Sequence, residues 1–126
     1  MQKQTIYCEK APAAIGPYAQ AISAGGFLFL SGMLAINPET GALVSGDAAA
    51  QTRQILKNIQ VLLNSQGLSA ENVVKTTVFL KDLAAFGAVN AVYAEMFNIN
   101  PPARSCIEVT RLPKDALVEI ECIVLS

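Results

Sequence analysis

The residues of this chain with the chemistry to hold or transform a small polar molecule are Arg104, Cys106, Glu119, Glu121, Tyr18, Ser31 and Asn90. A guanidinium presents a planar fork that matches the two oxygens of a carboxylate or phosphate, so Arg104 suits an acid ligand. It equally suits a structural ion pair with Glu119 or Glu108, and the residues alone do not choose between these. Glu119 is a candidate to hold or activate a water, or is an ion-pair or solvated edge residue. Cys106 lies two residues from Arg104, and a nearby cation would lower a thiol pKa and favour a nucleophile. An isolated strand cysteine is more often a small buried hydrophobe. Tyr18 follows Gly16-Pro17, where a ring can lie over a pocket or simply pack. Ser31-Gly32 ends an apolar run, where backbone groups and a hydroxyl come free for a ligand.

The absences narrow the chemistry. The sequence contains no histidine, which removes Ser-His-Asp and Cys-His catalysis. Its three cysteines, Cys8, Cys106 and Cys122, form no Cys-x-x-Cys, so neither a zinc nor a haem site is expected. No glycine pattern matches a phosphate loop. Acid–base work is left to carboxylates, Lys, Tyr, Cys or ordered water.

These residues must be positioned by a single domain spanning all 126 residues. In Pro102-Ala103-Arg104-Ser105-Cys106-Ile107-Glu108-Val109 two prolines stop what precedes, and a strand follows. Alternation puts Arg104, Cys106 and Glu108 on one face and Ala103, Ser105, Ile107 and Val109 on the other. A last strand over Leu117–Leu125 puts Val118, Ile120, Cys122 and Val124 on one face, and Glu119, Glu121, Ile123 and Leu125 on the other. Upstream, Thr5–Tyr7 reads as a strand and Ala11–Pro17 as a loop. Tyr18–Ser23 and Phe27–Ser31 read as a hairpin turning at Gly25-Gly26, and residues 37–41 as a turn. A helix is expected from about Asp47 to Gln66, with Ile55, Leu56, Ile59, Leu62 and Leu63 as its apolar face. Ser45 or Asp47 would cap it and Gly67 end it. Val73–Leu80 reads as a strand, and a second helix runs from an Asp82 cap to about Phe97. Asn90 falls on that helix's apolar stripe with Leu83, Phe86, Tyr93 and Phe97, where a buried amide needs partners. Neighbouring backbone is the expected partner; a ligand is the alternative.

The order βββ-α-β-α-ββ fits an α+β domain, one six-stranded sheet with both helices on one face. The other sheet face then has nothing in this chain to cover it. The chain is 52% hydrophobic and 15% charged, rather apolar for a monomer. Both observations point to burial between subunits, with a tightly packed monomer of few surface charges as the alternative for the composition. Net charge is −1 with no basic stripe, which argues against nucleic acid. No apolar run is long enough to span a membrane. Met1-Gln2-Lys3-Gln4 carries no apolar signal core, so a cytoplasmic protein is expected.

Taken together, the motifs are more specific than any alone. Pro102–Val109, Leu112-Pro113-Lys114-Asp115 and Val118-Glu119-Ile120-Glu121 resemble the signature of the Rid, or YjgF-like, family of reactive intermediate deaminases. Ala13–Tyr18, Ser31-Gly32, Asn37–Gly41 and Val74–Phe79 match as well, so the resemblance covers nearly the whole chain, nearest to the RidA subgroup. The resemblance implies a chorismate-mutase-like fold assembled as a barrel-like homotrimer with ligand clefts between subunits. It implies cofactor-independent hydrolysis of enamine and imine acids, such as 2-aminoacrylate and 2-iminobutanoate, to 2-keto acids and ammonia. It further implies that Arg104 clamps the substrate carboxylate, Glu119 activates water, and the Cys106 backbone orients the imine. Tyr18 would close the pocket, with Ser31, Gly32 and Asn90 lining or supporting it. Met33 departs from the glutamine often found after Ser-Gly, which puts the preferred substrate side chain in question. The alternative on the same fold is a non-catalytic protein that binds small carboxylates or other partners. Ribonuclease, translation-inhibition and chaperone roles have been linked to the family.

Overall fold

The structure is a computed structural model and describes residues 2–126. Six strands form one mixed sheet: β1 Gln4–Ile6, β2 Ala21–Ala24, β3 Phe27–Met33, β4 Val73–Leu80, β5 Ala103–Glu108 and β6 Val118–Leu125. Helices α1, Ala48–Ser65, and α2, Phe86–Met96, complete it. The strand order is β1-β2-β3-β6-β4-β5. β6 runs antiparallel to both β3 and β4, so those two are parallel, and β5 is parallel to β4. Each helix is thus the crossover between parallel strands, and the last strand slots into the middle of the sheet.

The central position of β6 follows from its sequence. Val118, Ile120, Cys122 and Val124 are all buried, and they meet Leu28 and Leu30 of β3, Val78 and Leu80 of β4, and Ile55, Ile59, Leu62 and Leu63 of α1. Asp47 caps α1 by accepting from the Ala50 N–H at 2.9 Å, so of the two expected caps it is Asp47 that serves. Gly67 takes a φ of 70° just past the helix end, a conformation glycine adopts without a Cβ clash. Buried polar residues fasten α1 to what it covers. Gln51 Oε1 accepts from the Leu117 N–H at 2.9 Å, and Asn58 Nδ2 donates to the Ile36 carbonyl at 2.8 Å.

Four expected elements differ. β1 ends at Ile6, leaving Tyr7 exposed. β2 begins at Ala21, not Tyr18, because the Tyr18 N–H bonds to the Gly16 carbonyl within a tight turn. β3 continues to Met33 through an irregularity between Leu30 and Met33. The second helix opens as a 3-10 turn over Leu83–Ala85, where Asp82 accepts from the Ala84 N–H and Glu108 from the Leu83 N–H, both at 2.9 Å. That turn shifts the phase of the stripe: Val89, Val92, Tyr93 and Phe97 are buried, whereas Leu83 and Phe86 are exposed.

The face away from the helices carries Phe27, Phe29, Ile107 and Leu125, each at least 37% exposed, with Glu121 among them. Within this chain that face is open, as alternation in β5 and β6 implied.

Candidate functional site

Arg104 enters near the start of β5, an edge strand exposed along most of its length. Its guanidinium is held from three sides. Nη1 donates to Asn90 Oδ1 of α2 at 2.8 Å, and the Cζ carbon lies 4.8 Å from the Tyr93 ring centroid and 5.5 Å from that of Phe86. Such ring-face contacts attract a cation and restrict the plane of its fork. Tyr93 is itself fixed by a 2.7 Å hydrogen bond between its hydroxyl and Thr76 Oγ1. Burial raises its phenol pKa, more than Thr76 and Arg104 lower it, so it stays neutral.

Asn90 is half-buried and bonds a side chain, not the neighbouring backbone. Phe86 and Tyr93 were legible as stripe neighbours of Asn90, at four residues before and three after, but as core residues and not as walls around a guanidinium. The ion pairs weighed for Arg104 do not form within the chain. Among the described residues the salt bridges are Arg53–Glu95 and Arg111–Asp115, and Glu108 caps the Leu83 turn. Cys106 is half-buried against the core. Burial raises its thiol pKa more than Arg104 lowers it, which disfavours the thiolate a nucleophile needs.

Tyr18, Ser31, Gly32 and Glu119 share a second location, a cleft of about 760 Å³ at the end of β3 and β6. Its floor is Glu119 laid against Gly32. A Cβ at Gly32 would collide with that carboxylate, with the Cδ carbon only 2.9 Å away. The missing side chain is therefore the space the carboxylate occupies. Desolvation raises the Glu119 pKa, and the like charge of Glu121 raises it further. A carboxylate in that state accepts a proton from water more readily than one in bulk solvent. Tyr18 stands at the cleft wall, its hydroxyl accepting from the Ile15 N–H at 3.3 Å. Ser31 donates to the Ala19 carbonyl at 2.6 Å. Lys114, at a φ of 59°, lines the far side, a feature the sequence did not signal. Pro12, Ile15, Ile36 and Pro38 make much of the wall apolar. Met33 reaches its edge but is buried in the core.

The two locations lie on opposite faces of the sheet. Thr76 pairs with both Arg104 and Cys122, and those three share the helix-covered face. Glu119 lies three residues from Cys122 and pairs with Phe79, so it points the other way. Within one chain Arg104 and Glu119 do not meet. The structure thus brings together Arg104, Asn90 and Cys106, and separately Tyr18, Ser31, Gly32 and Glu119.

Known proteins give this geometry a context. The family described as Endoribonuclease L-PSP matches residues 8–126. A 2-iminobutanoate/2-iminopropanoate deaminase of Escherichia coli strain K12 is 50% identical over 95% of each chain. A RutC family protein of Pyrococcus horikoshii is 53% identical over 96% of each chain. A solved structure from the conserved Rid protein family of Yersinia pestis superposes with a TM-score of 0.95 at 48% identity, covering 99% of this chain and 100% of that one.

Proposed function

The chain belongs to the endoribonuclease L-PSP family, the Rid or YjgF-like proteins, and from that premise we propose how its two half-sites act. The protein is a deaminase that hydrolyses 2-imino acids of the 2-iminobutanoate and 2-iminopropanoate type. Water adds across the C=N bond, the resulting carbinolamine expels ammonia, and a 2-keto acid remains. The imine carbon is already electrophilic, so placing water and substrate supplies much of the acceleration.

In this reading Arg104 clamps the substrate carboxylate, while Asn90, Phe86 and Tyr93 fix the guanidinium and leave donors free. Glu119 takes the proton from the attacking water and returns it to the departing nitrogen. The Cys106 backbone, on an edge strand whose outer groups β4 does not use, orients the imine. Tyr18, Ser31 and Gly32 bound the pocket. Because Arg104 and Glu119 occupy opposite sheet faces, an active centre joins Arg104 of one copy to Glu119 of another. The open apolar sheet face supports packing of three copies into a homotrimer. A cytoplasmic setting belongs to the same proposal; among the described residues no helix is long and apolar enough to cross a membrane.

The family description names a ribonuclease. Glu119 and Glu121 on the cleft floor would repel a phosphate backbone, and net charge is −1, so an acid of one carboxylate suits this site better than RNA.

The observation that carries the reading is a guanidinium with no acid partner among the described residues, immobilised by an amide and two rings. The test is ammonia release from 2-iminobutanoate generated in situ. Arg104→Ala should lower kcat/KM by about a hundredfold or more, and Arg104→Lys should recover little, since an ammonium cannot replace the fork. Equal activity in wild type and Arg104→Ala would end the carboxylate clamp.

A further inference from the structure

Between β1 and β2 the chain passes through residues 7–20 without a helix or strand. This segment supplies one whole wall of the Glu119 cleft, from Pro12 to Ile15 and Tyr18. With no ladder to hold it, its position depends on the burial of Cys8 and Ala11, a few turn bonds and hydrogen bonds from side chains.

One side chain provides most of them. Gln20 is 6% exposed. Its Oε1 accepts from the Cys8 N–H at 2.7 Å, and its Nε2 donates to the Cys8 carbonyl at 3.0 Å. The amide thus sits on the Cys8 peptide as a neighbouring strand would, donor on acceptor and acceptor on donor. Nε2 also donates to the Pro12 carbonyl at 2.8 Å, with the Ala11 carbonyl at 3.5 Å. On the sheet side the Gln20 carbonyl accepts from the Ser31 N–H at 3.0 Å, and the Ser31 hydroxyl holds Ala19. The wall between these anchors closes on itself through the Tyr18 N–H to Gly16 and the Ile15 N–H to Tyr18. Gln20 therefore joins the far end of the segment to β2 and, through Ser31, to the strand that carries Gly32.

We infer that Gln20 is a positioning residue for imine hydrolysis, holding the 8–20 segment so that Tyr18 stands over the cleft floored by Glu119. This rests on the reading that substrate occupies that cleft. Any well-packed core residue would alter melting temperature when replaced; a positioning residue must also alter substrate capture in the folded protein.

The experiment pairs hydrogen exchange with kinetics on the full chain. Gln20→Met keeps the length and removes the amide. Gln20→Glu keeps one acceptor but turns a second oxygen toward the Cys8 and Pro12 carbonyls, where only its protonated form donates. In Gln20→Met the Cys8 amide should exchange about tenfold faster or more, and KM should rise by about tenfold with kcat changed less. Tyr18→Ala should raise KM similarly, and the double variant should lose no more than either alone. Gln20→Glu, measured against wild type at each pH, should recover KM as the pH falls, and it carries the test if Gln20→Met does not fold. A folded variant with fast Cys8 exchange but wild-type KM and kcat would overturn the inference and leave a purely structural clip. Additive KM losses would overturn it too, by showing that Gln20 does not act through Tyr18. A wild type inactive on every imine would instead bring down the deaminase reading beneath it.

Discussion

At Gly32 a single hydrogen decides where a carboxylate lies. The three nearest atoms a Cβ there would meet all belong to the Glu119 side chain, whose end can swing aside. Gly32→Ala should therefore fold with a melting temperature near wild type while kcat/KM for an imine falls about tenfold or more. Combined with Glu119→Gln it should cost nothing beyond Glu119→Gln alone, because both changes remove the same group from the same place. Glu119 also ties stability to pH. Its pKa in the folded chain is raised by burial and by Glu121, so folding takes up a proton between the unfolded and folded values. The stability of the protonated form is full at acid pH and is lost as pH rises through that window. Glu119→Gln escapes this loss. Thermal melts from about pH 4 to about pH 7 should show the variant gaining on wild type as pH rises.

At the scale of elements, α1 supplies none of the residues that line the cleft or hold Arg104, and acts as a support. Asp47 satisfies the Ala50 N–H, one of the otherwise unpaired donors of its first turn. Asp47→Ala should cost about 1 kcal/mol and leave KM for an imine unchanged, read by denaturant melts and steady-state kinetics. α2 differs. Its exposed Phe86 and half-buried Asn90 face the Arg104 guanidinium, so its polar position serves the strand beside it. The segment was readable as a helix from its periodicity, but its phase was not. The 3-10 turn over Leu83–Ala85 moves Leu83 and Phe86 out of the core, and that turn depends on Glu108, a residue 25 positions away from Leu83.

At the scale of the whole molecule, the sheet separates Arg104, the proposed carboxylate clamp, from Glu119, the proposed water activator. Arg104→Ala and Glu119→Gln should each be inactive alone. Mixed at equal amounts after dissociation and reassembly, they should regain activity at about a quarter of the sites, as expected when each site takes one residue from each of two copies. Failure of mixtures to recover any activity, with mixed assemblies verified by mass, would place both groups' work within one copy and overturn the shared site.

Much of this protein was written locally. Alternation in β6 separated Val118, Ile120, Cys122 and Val124 from Glu119 and Glu121, helical spacing marked α1, and prolines bounded β5, because side-chain direction follows backbone period. The motifs around Arg104 and Glu119 carried the family. Strand order, the insertion of β6 between β3 and β4, and the aromatic walls of Arg104 came only from the tertiary fold, since pairing between distant strands leaves no periodic trace. The same is true of the opposed faces. Two residues can each be assigned a side of their own strand from sequence, but whether those sides coincide is decided by register between β4, β5 and β6.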